Sequence, residues 1–201
     1  MTVEGGSYTS NGLGSPVIYS TADVTVSDAT LTSNKSEGVC IEGKNSITLN
    51  NCRMTVSNTQ RNGHAQFLDA IITLNDVKLV NEDAEKVLLS VCADGWQGAS
   101  NKATLNASHQ QLEGTILVGS DSELTLNLAD GSTFIGSISG NITNAAGNSV
   151  STETGTVNVT LGADCTWTLT ADTYITSLKG DTSRINTNGH RLFVNGKELK
   201  V

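Results

Sequence analysis

Apolar and polar residues alternate in short stretches that recur along the chain. The clearest stretch, 47–55, reads I-T-L-N-N-C-R-M-T. Alternation with a period of two predicts a β-strand with one buried face. The interval between copies varies between about 20 and 35 residues, which is typical of a solenoid with loops of variable length. Related stretches begin at Val24, Ile72, Ala103, Leu124 and Val157.

Each copy predicts a strand, a sharp corner and a second strand. Asp28, Asn51 and Asp76 follow the first strand, and Asn and Asp tolerate the left-handed backbone that a tight corner needs. A third apolar run precedes the copies at 17–19, 40–41 and 117–118, and 87–91 is similar. One isolated coil cannot bury its apolar face, so the coils must stack.

The prediction is an all-β fold, a parallel β-helix with three short strands per coil and roughly six to eight coils. The general rule for parallel crossovers predicts a right-handed coil.

The polar residues between the apolar ones also recur, and stacking would align them into outward ladders. Thr suits an exposed strand position, and stacked Asn side chains can hydrogen-bond along the axis. We expect these ladders to stabilise the solenoid. The predicted ladders are Thr25, Thr48, Thr73, Thr104 and Thr125, and Ser27, Asn50, Asn75, Asn106 and Asn127.

The length of 201 residues indicates one domain. Asn195-Gly196, between an apolar run and Leu199, predicts a hairpin that covers the exposed edges of the last coil. Polar residues follow Met1 directly, so we expect a segment of a larger protein. The predicted divisions are a lead-in at 1–15, main coils at 16–140, a loop at 141–156, and last coils with a cap at 157–201.

The composition and charge of the chain limit the classes of partner that it can bind. The net charge is −8 and basic residues are few, which argues against nucleic acid and anionic membranes. No apolar run is long enough to insert into a membrane. The four cysteines form no C-x-x-C motif, so neither a metal site nor a cofactor is expected. Cys52 takes the core position held by Ala29 and Val77 in other copies, and a disulfide between Cys40 and Cys52 stays open.

Catalytic motifs are not recognisable, and no catalytic residue is assigned. Polysaccharide hydrolases need paired carboxylates, but Asp-Asp does not occur, and Gly189-His190-Arg191 falls in the predicted hairpin. Residues distant in sequence can still converge in a fold. The scattered candidates are Asp69, Asp94, Asp121 and Asp130, with His64, His109 and His190.

The repeats at 17–56 and the closing N-G-H-R-L-F-V-N-G-K-E-L at 188–199 resemble surface proteins of Gram-positive gut bacteria in the pectate-lyase-like, right-handed β-helix superfamily. The resemblance implies the fold and an extracellular or cell-surface location. It also implies, by analogy, an adhesin-like or carbohydrate-interacting role. We therefore expect a non-enzymatic module, an adhesin or glycan-binding stalk of a secreted or wall-attached bacterial protein. Its partners would be glycans or host surface proteins.

Two other functions stay open. One is a polysaccharide lyase or glycoside hydrolase of the β-helix type. The other is ice binding, because flat Thr ladders on solenoids can order water. Only one Thr per coil recurs here, whereas known ice-binding solenoids present paired rows.

The loop at 93–102 contains the predicted ligand-binding residues Asp94, Trp96 and Gln97. Loops that leave a regular scaffold often carry binding groups. The Trp96 ring would stack on a sugar, while Asp94 and Gln97 would bond its hydroxyls. Alternatively, Trp96 folds back over the edge of a coil. If it binds, Trp96→Ala weakens glycan binding and leaves the thermal midpoint nearly unchanged.

Overall fold

A computed structural model describes residues 1–57, 70–82, 85–92, 101–143 and 147–200. In these ranges the regular structure consists of short β-strands and one turn of 3₁₀ helix, Thr182–Arg184. The strands in chain order are β1 (Thr2–Glu4), β2 (Ser7–Ser10), β3 (Ile18–Ser20), β4 (Val24–Ser27), β5 (Thr30–Ser33), β6 (Val39–Ile41), β7 (Ser46–Asn50), β8 (Arg53–Val56), β9 (Ala70–Asn75), β10 (Lys78–Asn81), β11 (Val87–Val91), β12 (Lys102–Ser108) and β13 (Gln111–Glu113). They continue with β14 (Thr115–Val118), β15 (Glu123–Ala129), β16 (Thr133–Ile135), β17 (Ile138–Ser139), β18 (Ile142–Thr143), β19 (Ser149–Ser151), β20 (Thr156–Leu161), β21 (Thr166–Thr168), β22 (Thr173–Ile175), β23 (Ser177–Lys179), β24 (Ile185–Asn186), β25 (Leu192–Val194) and β26 (Lys197–Leu199).

The strands stack into a parallel β-solenoid of about seven turns, which confirms the predicted fold class. One side, here called the long sheet, has the order β1-β4-β7-β9-β12-β15-β20-β23. The second side holds β2-β5-β8-β10 and then β13-β16-β21-β24. The third side holds β3-β6, β11-β14-β17 and β22-β25-β26. Right-handedness stays a prediction.

The core runs along the solenoid axis and is built from the inward residues of every strand. Burial alternates along the long sheet: Ile47 and Leu49 are buried, and the Thr and Asn between and after them are half-exposed. On the second side, Phe134 and Trp167 stack inside with ring centroids 5.6 Å apart. The Trp167 indole donates a hydrogen bond to the Gly136 carbonyl at 3.1 Å. Trp167 therefore belongs to the core.

The predicted corners are confirmed by their backbone. Asp28, Asn51 and Asp76 have φ values of 56°, 47° and 54°, in the left-handed region that Asn and Asp tolerate. The Asn51 amide donates to the Asp28 carboxylate at 2.6 Å, so adjacent corners are also linked by side chains. His109 and Asp130 hold the same conformation in later coils and were not predicted as corners.

The outward ladders form, but not as one continuous pair. Thr48 aligns with Thr25 and Thr73, as predicted, and the Asn75 side-chain amide donates to the side-chain Oδ1 of Asn50 at 2.8 Å. The prediction is wrong between β9 and β12, where Asn106 lies beside Thr73 instead of Asn75. Beyond this step the alignment of like residues holds from β12 to β15, whereas in β20 Asn158 lies beside Thr125 and Thr160 beside Asn127.

The step between β9 and β12 is a shift of two residues, and the buried residues explain it. The observed register pairs Ala70 with Ala103, Ile72 with Leu105, and Leu74 with Ala107. All six side chains are buried. The predicted register would have left Ala70 without an apolar partner in β12. Because side chains alternate with a period of two, a two-residue shift keeps every side chain on its own face.

Both ends of the chain join the stack. In the predicted lead-in, β1 and β2 pair with β4 and β5, so residues 2–10 contribute two sides of a first coil. At the other end, β25 and β26 form the predicted antiparallel hairpin around Asn195-Gly196, and β25 also pairs with β22. Asn195 and Gly196 both have positive φ, as a two-residue hairpin turn requires.

The segment expected to be a loop, 141–156, contains a short antiparallel pair, β18 and β19. Ile142 in β18 packs with Cys92 and Leu117 in a small cluster separate from the main core. This pair, here called the arm, therefore covers part of the outer surface of the third side.

All four cysteines are buried, and no disulfide joins any of them. Cys52 is the small buried core residue that the repeat predicted, and its thiol lies 3.2 Å from the Asn50 carbonyl oxygen. Cys40 is equally buried, but the disulfide left open at the sequence level is not formed. Burial raises the pKa of the Cys165 thiol, which disfavours the reactive thiolate.

Candidate functional site

The predicted ligand-binding residues Asp94, Trp96 and Gln97 lie outside the described residues, as do His64 and Asp69. Their site stays a prediction.

The acidic and histidine residues that the structure does describe do not gather into a metal site. Within the described ranges, no group of three or more His, Cys, Asp and Glu side chains is placed to hold a metal ion.

One hydrogen-bonded group joins a serine, a histidine and an aspartate at an exposed corner. The Ser108 hydroxyl donates to the Asp130 carboxylate at 2.6 Å and lies 3.2 Å from His109 Nδ1. An activated serine donates its proton to the histidine, and the carboxylate holds the other ring nitrogen. Here the serine proton faces the carboxylate, so the group braces successive corners and does not activate a nucleophile.

A different group of side chains projects from the third side near the C-terminal end. The rings of Tyr174 in β22 and Phe193 in β25 stack with centroids 4.6 Å apart and planes only 6° from parallel. Their backbones are direct partners in the parallel pair. Tyr174 is 47% exposed, and Phe193 is half-buried. We call these two residues, with Asp172 and Arg191, the aromatic row.

Strand alternation places the two rings outside. Thr173 and Ile175 flank Tyr174 and are buried, and Leu192 before Phe193 is buried as well. Since neighbouring residues of a strand point to opposite faces, both aromatic side chains must project outward. Parallel strands lie about 4.8 Å apart, close to the observed ring separation. The sheet itself therefore holds the rings face to face.

An ion pair fixes the polar side of the aromatic row. Arg191 donates to Asp172 through Nε at 2.8 Å and through its backbone N–H at 2.9 Å. These hydrogen bonds lower the pKa of Asp172, so its carboxylate is ionised at neutral pH. The guanidinium carbon lies 5.3 Å from the centre of the Phe193 ring, within cation–π range. Arg191 is thus oriented from two directions.

One face of the Tyr174 ring is open. Phe193 covers the other face, so the exposed 47% of Tyr174 belongs to the opposite face and the ring edge. On the open side, β17 of the preceding coil packs beside β22, and the Ile138 N–H donates to the Thr173 hydroxyl at 3.3 Å. The next outward residue of β17 is Ser139. A small polar side chain therefore lies where a larger one would cover the ring.

The aromatic row was not predicted from the sequence, because its members are far from the clearest repeats. A usable signal was present: T-Y-I and L-F-V each place an aromatic residue at the outward position of an alternating triplet. The sequence does not show that the two triplets are strand neighbours. From the sequence, Arg191 was considered only as part of Gly189-His190-Arg191, in the search for catalytic motifs. In the structure, Arg191 is paired with Asp172.

No family model, curated protein or solved structure matches this chain. In the part of the chain that is described, no helix has the length and apolar character to span a lipid bilayer.

Proposed function

We propose that this solenoid is a non-enzymatic surface module, an adhesin or glycan-binding stalk of a secreted or wall-attached bacterial protein. The observation that carries the proposal is the aromatic row: an outward, stacked pair of rings beside a fixed Arg–Asp pair. Glycans are the favoured partner and host surface proteins the second. The extracellular or cell-surface location belongs to the same proposal, and the resemblance of the repeats to pectate-lyase-like surface proteins favours it.

The chemistry of the row suits a sugar. A pyranose has an apolar face of C–H groups and a rim of hydroxyls, so it needs a flat apolar surface with polar groups at its side. Tyr174 supplies such a surface at low entropic cost, because Phe193 and the sheet already hold its ring. Asp172 and Arg191 supply an acceptor and donors whose orientations are fixed before binding.

The test is a glycan array probed with purified protein of residues 1–201. Saturable binding to a defined set of glycans is expected, without release of product from pectin, mucin or host glycans. Release of unsaturated or reducing sugar ends would instead assign a lyase or a hydrolase. Thermal hysteresis without glycan binding would assign ice binding.

A further inference from the structure

We infer that the open face of Tyr174 is a stacking site for one neutral pyranose ring, whose hydroxyls are bound by Ser139, Asp172 and Arg191. The inference rests on the proposed function, because it names the sugar class and the residues for the glycan-binding role.

The open face of Tyr174 has a defined direction. Phe193 stacks on the C-terminal side of Tyr174, toward the hairpin, so the open face looks back along the solenoid axis. In that direction β17 contributes Ser139, and the chain then leaves the coil as the arm, beginning at Ile142. Because Ser139 is small, a recess remains over the open face of Tyr174, and a single stacked ring fills it.

Polar groups lie around the position of a sugar ring stacked on Tyr174. Asp172 precedes Tyr174 by two residues on the same outward face, which is about 7 Å along a strand. A six-membered ring centred on Tyr174 therefore brings hydroxyls to the Asp172 carboxylate and its Arg191 partner. Ser139 lies on the axial side. Its hydroxyl oxygen accepts a hydrogen bond from the Asn141 N–H at 3.1 Å, and its proton is available to a ligand.

The charged side chains around the site affect which class of sugar can bind. Asp172 and Arg191 neutralise each other in their ion pair. Glu198 lies directly opposite Phe193 in the hairpin and adds a negative charge to the same surface. The whole chain carries −8. A sugar acid would meet an acidic surface and would need the guanidinium that Asp172 already holds. The site therefore favours a neutral pyranose over a uronate or other acidic sugar.

The experiment compares variants on an array that carries neutral gluco-, galacto-, manno- and N-acetylhexosamine oligosaccharides together with polygalacturonate. Tyr174→Ala removes the stacking face and should weaken binding to the neutral glycans about tenfold or more. Tyr174→Phe keeps the ring and should bind within about threefold of the unchanged protein, since only the hydroxyl is lost. Ser139→Phe fills the recess and should abolish binding while Tyr174 remains in place.

Tyr19→Ala is the matched control, since Tyr19 is also an exposed tyrosine on the third side, 56% exposed. It should bind like the unchanged protein. The thermal midpoint of each variant is measured, and Ser139→Phe tests the same face should Tyr174→Ala unfold early.

Glycan binding that survives both Tyr174→Ala and Ser139→Phe but is lost in Trp96→Ala overturns the inference and leaves the proposed function standing. Preference for polygalacturonate overturns the assigned sugar class. Failure of the unchanged protein to bind any array sugar overturns both.

Discussion

The two halves of the solenoid use the same strand pattern but differ in width. On the long sheet, β4 and β7 of the N-terminal half each bury two apolar residues. In the C-terminal half β12, β15 and β20 each bury three. Strand β9 already has three, and the two-residue shift matches them to those of β12. The long sheet therefore widens between β7 and β9, one coil before the register shift.

Two of the wider coils are filled by larger side chains, as an interior packed without voids requires. On the second side, the inward row of the N-terminal half is Leu31, Met54 and Leu79. The corresponding row of the C-terminal half includes Phe134 and Trp167. Residue 136, two positions after Phe134, is a glycine because a Cβ there would lie only 2.1 Å from the Gly114 carbonyl oxygen. Aromatic filling therefore begins at β16, later along the solenoid than the widening of the long sheet at β9.

The ends differ as well. At the C-terminal end Ile185 and Leu192 are buried, and the hairpin adds its own residues to the core. At the N-terminal end Val3 and Ile18 are only half-buried, and Tyr8 is 43% exposed. The aromatic row lies at the C-terminal end, where paired strands on both sides hold β25. Binding groups are most precise where the scaffold around them is complete.

The largest expected effect comes from removing a large aromatic side chain from the core of the C-terminal half. Trp167→Ala should lower the free energy of unfolding by about 3–5 kcal/mol, since the ring is fully buried and its loss leaves the Gly136 carbonyl without its donor. Met54→Ala, in the same row of the narrow half, should cost less, about 2–3 kcal/mol, because methionine fills space adaptably. Urea titration measures both. Equal losses would show that aromatic filling does not distinguish the halves.

The corners should respond alike in both halves. Asn51→Val and Asp130→Val each force a β-branched residue into a left-handed conformation and should cost about 1–2 kcal/mol. Asn51→Gly and Asp130→Gly are the controls and should cost less than the valine variants, because glycine adopts positive φ freely. Thermal unfolding measures the four variants. A valine variant as stable as its glycine partner would refute the left-handed corner.

The register shift predicts which ladder residues interact across the junction. A double-mutant cycle to alanine should give a coupling of about 0.5 kcal/mol for Thr73 with Asn106, whose side chains are 3.4 Å apart. Asn50 with Asn75 should couple more strongly, since their bond is 2.8 Å long. Asn75 with Asn106 should show no coupling. Coupling between Asn75 and Asn106, without coupling between Thr73 and Asn106, would contradict the shifted register and support the unshifted one.

The smallest expected effect concerns Tyr19, an exposed tyrosine of the N-terminal half. The Tyr19 hydroxyl donates to the Glu42 carboxylate, which raises the pKa of Tyr19 to about 12. A raised pKa means that this hydrogen bond stabilises the fold below the unfolded pKa of tyrosine, and that the contribution is lost as the pH rises through the folded pKa. Alkaline absorbance titration of Glu42→Gln should show the Tyr19 pKa lowered toward its ordinary value. An unchanged value would mean that Glu42 does not hold the hydroxyl.

The sequence by itself determined which side chains face inward, where the N-terminal coils turn, and where the last hairpin forms. Strict alternation fixes the face of Ile47 or Leu126, Asn and Asp mark Asn51 and Asp76 as corners, and Asn195-Gly196 specifies its hairpin. Each of these features depends on residues that are adjacent in sequence, so local stereochemistry decides it.

Only the tertiary structure decided the register between β9 and β12 and the meeting of Tyr174 with Phe193. Alternation is unchanged by a shift of two residues, so the pattern of T-L-N repeats could not show that Asn106 lies beside Thr73. Likewise, β23 and β24 lie between β22 and β25 in the chain, and neither triplet contains a signal for its strand partner. The matching of buried residues across coils made both choices.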